Sequence, residues 1–247
     1  MSGPDIRIEE SAYSGGGVEM RAYIAWDAAR EGSRPAVLVA PEFWGRNDYA
    51  CRRARELAGL GYTGVAVDLY GDAKVAADAA EATACMNAIV EDMEAGRARL
   101  EAALELAKAH PSVNPEQTAA IGYCFGGGLV LHMARMGMDV DMVASFHGSL
   151  GLGIAPGPEQ VTARVAVYNG EEDSFVTAED IAAFTREMSA TGAHCDFIQL
   201  PGALHGFSNP AATAKGEQFG LPLRYDALAD QVSWGHLQMV LREVFAD

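Results

Sequence analysis

Apolar and polar residues alternate from Ile6 to Tyr13 and again from Val18 to Trp26, on either side of Ser14-Gly15-Gly16-Gly17. A period of two puts every second side chain on one face of a strand, so the two runs predict an antiparallel hairpin at the edge of a sheet. The pattern changes at Pro35-Ala36-Val37-Leu38-Val39-Ala40, a continuous apolar run of the kind found in strands buried on both faces of a parallel sheet. Helix is predicted from about Asp48 to Leu60, with Gly61 placed to end it and Arg52, Arg53 and Arg55 forming a solvated face. Gly64 to Asp68 is the next strand, followed by the loop Leu69-Tyr70-Gly71-Asp72. From Ala73 to His110 the chain is Ala-rich with Met and Leu at helical spacing, which predicts two helices broken near Gly96 and stopped by Pro111. The Met residues there read as core packing.

Beyond Pro111, Thr118 to Ile121 is a strand that enters Gly122-Tyr123-Cys124-Phe125-Gly126-Gly127-Gly128, and Leu129 to Ala134 is a helix leaving it. Met142 to Phe146 and Arg164 to Tyr168 are further buried strands, separated by a Gly/Pro loop from Leu150 to Pro158. Thr177 with Asp180 reads as a capping box for a helix to about Ser189, and His194 to Leu200 is the last strand. The segment Ser208 to Leu223 is polar and punctuated by Gly and Pro, a lid candidate, and Tyr225 to Phe245 closes the chain as an amphipathic helix. Strands alternating with helices at this spacing imply an α/β fold with a mostly parallel central sheet, flanking helices and the antiparallel N-terminal hairpin at its edge. No internal repeat or composition shift marks a second domain, so 1–247 is read as one.

Composition narrows the classes of partner. The formal net charge is -16 with no basic patch, which argues against nucleic acid and an anionic membrane surface as partners, since both attract clusters of Lys and Arg. No targeting sequence or membrane-length apolar run is present, so a cytoplasmic protein is expected, as a monomer or homodimer. Cys51, Cys85, Cys124 and Cys195 show neither CxxC nor metal-ligand spacing; a disulfide framework, a metal and a cofactor are all unexpected.

The chemistry gathers at the strand ends, where ligands bind in open α/β sheets. Cys124 stands at the apex of a strand-turn-helix with Gly122 two before it and Gly126 two after, where a larger side chain would clash as strand and helix converge. A thiol there meets unpaired helix N–H groups and the positive end of the helix dipole, which favours thiolate as the reactive form. Asp173 follows one later strand and His205 another, giving nucleophile, acid, His along the chain, the order of α/β-hydrolases. In that arrangement His205 serves as base and Asp173 orients it. The backbone N–H groups of Phe125 and Phe43 are the candidate oxyanion donors. Alternatives stay open: Cys124 as a structural thiol, Glu171 or Glu172 in place of Asp173, His147 in place of His205, and Glu42 as a solvated loop charge.

Taken together, Pro41-Glu42-Phe43-Trp44-Gly45, Asp68-Leu69-Tyr70-Gly71, Gly122-Tyr123-Cys124-Phe125-Gly126-Gly127, Gly170-Glu171-Glu172-Asp173 and His205-Gly206-Phe207 resemble the dienelactone hydrolase family over nearly the whole chain. The resemblance implies an α/β-hydrolase fold, a Cys124-His205-Asp173 triad, and Glu42 as an extra carboxylate that contacts the resting thiol and helps ionise it when substrate arrives. One departure bears on substrate. Family members that act on anionic dienelactone hold its carboxylate with two arginines, one after the Asp68 strand and one just after the catalytic His. Residues 73–93 and Gly206-Phe207-Ser208-Asn209 contain no Arg. With Phe43, Trp44, Tyr70, Phe125 and Phe207 near the expected mouth, an uncharged ester or lactone fits better, hydrolysed through a thioester. The same triad admits aryl esters and neutral phosphotriesters. Two readings of other classes are a thiol redox or peroxide sensor and a ligand-binding module without turnover.

Overall fold

The computed structural model describes residues 3–157 and 160–246. Two compact units divide the chain, the first reaching to Ile121 and the second beginning at Gly122. In the first, β1 (Ile6–Gly15) and β2 (Val18–Asp27) pair antiparallel in register from Ile6 with Asp27 to Gly15 with Val18, around a two-residue Gly16-Gly17 turn. β3 (Arg34–Ala40) is buried at every position but Pro35. α1 (Asp48–Leu60) begins where Asn47 accepts from the N–H groups of Tyr49 and Ala50, and ends at Gly61. β4 (Thr63–Ala66), α2 (Ala79–Val90), α3 (Met93–Ala109) and most of β5 (Val113–Tyr123) complete this unit.

The second unit holds α4 (Phe125–Arg135), β6 (Met142–Phe146), β7 (Arg164–Gly170), α5 (Ala178–Thr191), β8 (Cys195–Leu200), α6 (Ala212–Phe219) and α7 (Ala227–Val244). Strand order in the sheet is β1-β2-β4-β3-β5-β6-β7-β8. β3 with β4, β6 with β7, and β7 with β8 are parallel, whereas β2 meets β4 antiparallel, so the hairpin forms the antiparallel edge. Among the described residues no helix is long and apolar enough to cross a membrane.

Several boundaries depart from the expected ones, each for a local reason. β4 stops at Ala66 rather than Asp68, because the buried Asp68 carboxylate is engaged by the N–H groups of Tyr70, Gly71, Ala73 and Arg21 at 2.7–3.1 Å, which curls the chain into the loop. The break between α2 and α3 falls at Glu91-Asp92, not Gly96. Asp92 caps α3 by accepting from Ala95 N–H, and Gly96 lies inside that helix because a Cβ there would stand 2.8 Å from the Ile89 side chain. Residues 73–78 lie ahead of α2, which starts after the Asp78 cap.

Arg53 is a further correction: it is buried, hydrogen-bonded to Glu56 at 2.9 Å and packed over the Tyr49 ring, rather than solvated. β5 starts five residues early because its polar first half is half exposed and carries no apolar signal. α4 begins directly after Cys124, its first turn hidden in sequence by three glycines. The polar segment 208–223 contains α6, which has no side-chain cap to announce it. The loop from Leu150 holds no helix or strand as far as residue 157; its last expected residue, Pro158, is outside the described residues.

The Thr177 capping box forms as expected: Thr177 Oγ1 accepts from Asp180 N–H at 3.1 Å while Asp180 accepts from Thr177 N–H at 2.8 Å. Thr177→Ala is therefore expected to cost about 1 kcal/mol. Differential scanning calorimetry should read this as a Tm lowered by about 2–4 °C.

Candidate active site

Three connections in the second unit build the site. The first is the turn from β5 into α4. Its apex, Cys124, has φ 54° and ψ -118°, a left-handed conformation that ordinary residues avoid and that costs on the order of 1–3 kcal/mol. The turn closes so tightly that a Cβ on Gly122 would lie 2.1 Å from Gly126 O, so only glycine fits there. Cys124 N–H is shared between Phe146 O at 3.0 Å and His147 Nδ1 at 3.1 Å, which pins the apex to the end of β6. Cys124 itself is partly exposed.

The second connection leaves β7. Gly170 O accepts from Asp173 N–H at 3.1 Å, turning the chain so that Asp173 is buried while Glu171 and Glu172 face solvent. Both Asp173 oxygens are engaged: Oδ1 accepts from Phe175 N–H at 2.9 Å, and Oδ2 lies 2.8 Å from His205 Nδ1. The third connection, after β8, carries His205. Its carbonyl and that of Phe207 accept from the N–H groups of Arg224 and Asp226 at 3.1 and 3.0 Å, so the far end of the 208–223 segment is tied back onto the histidine loop.

With Nδ1 taken by Asp173, the other ring nitrogen of His205 is left for the Cys124 side chain, to which the imidazole is hydrogen-bonded. Burial pulls the His205 imidazole below its ordinary 6.5. The Cys124 sulfur and the hydrogen-bonded Asp173 outweigh that and push it up to about 10. The arrangement favours the imidazolium form of His205 at neutral pH.

Asp173 and His205 are thus brought together with Cys124, and the rival acids Glu171 and Glu172 are not. Phe125 follows Cys124 as the first residue of α4, and Phe207 is fully buried with its ring edge-on to His147. In the first unit Glu42 is buried at the end of β3, the Phe43 and Trp44 rings stand 4.5 Å apart, and Tyr70 Oη donates to Phe43 O at 3.0 Å. His147, weighed only as a rival base, is fully buried and engaged at Cys124 N–H. Phe175, half exposed and edge-on to the His205 ring at 4.8 Å, had no signal in the sequence. Among the described residues no group of three or more His, Cys, Asp or Glu side chains is arranged to hold a metal ion.

Comparison with known proteins agrees over nearly the full length. The model of the dienelactone hydrolase family matches residues 20–245. A crystal structure of the dienelactone hydrolase-like promiscuous phosphotriesterase P91 from metagenomic libraries superposes with a TM-score of 0.92 at 33% identity, covering 98% of this chain and 99% of that one. A structure named m3DLH superposes with a TM-score of 0.91 at 35% identity over 98% and 99% of the two chains. Carboxymethylenebutenolidase 1 of Cupriavidus pinatubonensis is 31% identical over 156 residues, 60% of this chain and 64% of that one.

Proposed function

The chain belongs to the dienelactone hydrolase family, and from that premise we propose that it hydrolyses uncharged carboxylic esters or lactones with a Cys124-His205-Asp173 triad. It has the α/β-hydrolase fold, and its enzymatic class is a hydrolase of ester or lactone bonds. The triad reading rests on one observation: a single buried imidazole hydrogen-bonded on one side to Asp173 and on the other to the sulfur of a partly exposed cysteine at a strained turn. We read the whole chain as one such domain, since one family model runs through most of it.

In this mechanism the Cys124 thiolate attacks the acyl carbon and the carbonyl π electrons move onto oxygen. The N–H groups of Phe125 and Phe43 receive that oxyanion. Collapse of the adduct expels the alkoxide, which takes the proton of the His205 imidazolium and leaves a thioester on Cys124. Neutral His205 then removes a proton from water, the resulting hydroxide adds to the thioester, and collapse returns the thiolate and the imidazolium with release of the acid. For Glu42 and the Phe43 amide the assignment follows the family pattern. The preference for uncharged substrates follows from the missing arginines and from a net charge of -16, whose field disfavours anions.

The test is chemical. Quenching the enzyme during turnover of an aryl ester should trap one acyl group on the peptide carrying Cys124, as read by mass spectrometry. The neutral ester should also be turned over at least about tenfold more efficiently than an analogue bearing a carboxylate. An acyl group on another residue, or none under burst conditions, would overturn the nucleophile assignment. A second reading, turnover of neutral phosphotriesters by the same triad, is favoured by the likeness to P91. Steady product release from such a triester supports it, and stoichiometric inactivation rules it out.

A further inference from the structure

His147 takes no part in the chemistry above, yet it is fully buried and in contact with two of the three connections that build the site. Its backbone has φ 40°, a left-handed conformation in which a residue other than glycine is uncommon. Its Nδ1 lies 3.1 Å from Cys124 N, and a backbone N–H can only donate, so Nδ1 is the bare nitrogen and the ring proton sits on Nε2. Nε2–H then donates to Ser208 Oγ, 2.8 Å away and fully buried, three residues after His205. The rings of His147 and His205 stand edge to face with centroids 5.0 Å apart, and Phe207 closes the other side of His147 at 5.1 Å.

Resting on the triad reading, we infer that His147 is a positioning residue: a neutral imidazole strut between the amide of the nucleophile and the loop that carries the base. Asp173 fixes how the His205 ring is turned, but nothing in that bond sets how far the ring stands from Cys124. The strut does, because it fastens the backbone of Cys124 to Ser208 through one rigid ring. A proton transferred between sulfur and imidazole is sensitive to that separation, so loosening the strut weakens the thiolate-imidazolium pair without touching substrate.

Two variants open the strut at opposite ends. Ser208→Ala deletes the acceptor for Nε2–H. His147→Asn keeps an acceptor near the position of Nδ1 and tolerates a left-handed backbone better than most residues, but cannot reach Ser208. Each is expected to lower the single-turnover acylation rate by about tenfold with KM changed by less than about twofold. Each should also reduce the ultraviolet thiolate absorbance at neutral pH. The double variant should be little worse than either single one, because both break the same connection.

Unchanged acylation and thiolate absorbance in Ser208→Ala and His147→Asn, alongside an inactive Cys124→Ala, would overturn the strut while leaving the triad reading intact. Losses that multiply in the double variant would equally overturn it. Activity retained in Cys124→Ala would instead sink the triad reading on which it stands.

Discussion

Cys124→Ala is expected to abolish ester turnover, with kcat falling by at least about ten-thousandfold, whereas Cys124→Ser retains a weak, measurable rate. The alanine variant has no atom to attack the acyl carbon, and the remaining donors and binding contacts supply only the residual catalysis left when a nucleophile is removed. The serine variant differs because of what happens to His205. Burial opposes the raised value of that imidazole, and the largest contribution on the raising side is the Cys124 sulfur. Replacing sulfur by a hydroxyl that stays protonated removes that contribution, so His205 falls back toward neutrality. It then becomes a general base able to take the serine proton, a slower route than attack by a thiolate already formed.

Both variants should therefore show the His205 ring titrating at lower pH than in the parent enzyme, followed by the imidazole proton resonances. Parent-like turnover in Cys124→Ala would remove the nucleophile from the scheme. A His205 titration unmoved in both variants would remove the thiolate-imidazolium pair.

The parts of this fold that were legible in sequence are those where one local force dominates. Pro35 to Ala40 could be read because burial on both faces demands an unbroken apolar run, and the end of α1 because Gly61 stops it in a left-handed cap. The turn at Cys124 was visible because steric closure leaves glycine alone possible at Gly122. Where tertiary packing decides, the pattern misled. Gly96 looks like a helix break but is a contact point for Ile89, and Arg53 looks solvated but is held by Tyr49 and Glu56.

The site divides along the same line. Order along the chain pointed to Asp173 and His205, and the structure places them 2.8 Å apart. Sequence offered His147 and His205 as competitors because each follows a strand end. That both rings lie 5.0 Å apart depends on how the loops after β6 and β8 pack, which no local pattern records. Phe175 and Ser208 are an ordinary aromatic and an ordinary hydroxyl until those loops meet.

Asp173→Asn carries the second large expectation: kcat lower by about ten-thousandfold, the scale on which the equivalent change acts in a serine triad. The carboxylate accepts from His205 Nδ1–H at 2.8 Å, while its other oxygen is held by Phe175 N–H. An asparagine in the same pose keeps its oxygen on the Phe175 amide and turns its NH2 toward Nδ1. That nitrogen must then be bare, and the ring proton is forced onto the nitrogen facing sulfur in a neutral imidazole.

The sign of the pH effect follows from the same contacts. His205 is raised from 6.5 to about 10, so the imidazolium needed to protonate the leaving alkoxide persists at neutral pH and is lost as pH rises through about 10. Asp173 supplies both a hydrogen bond and a charge on the raising side; without them burial pulls the ring downward. The basic limb of kcat/KM should accordingly move to lower pH in Asp173→Asn, and the thiolate absorbance should fall with it. Steady-state profiles on the two enzymes decide the matter: a basic limb that stays in place, or a kcat within about tenfold of the parent enzyme, would mean that Asp173 neither orients nor charges His205.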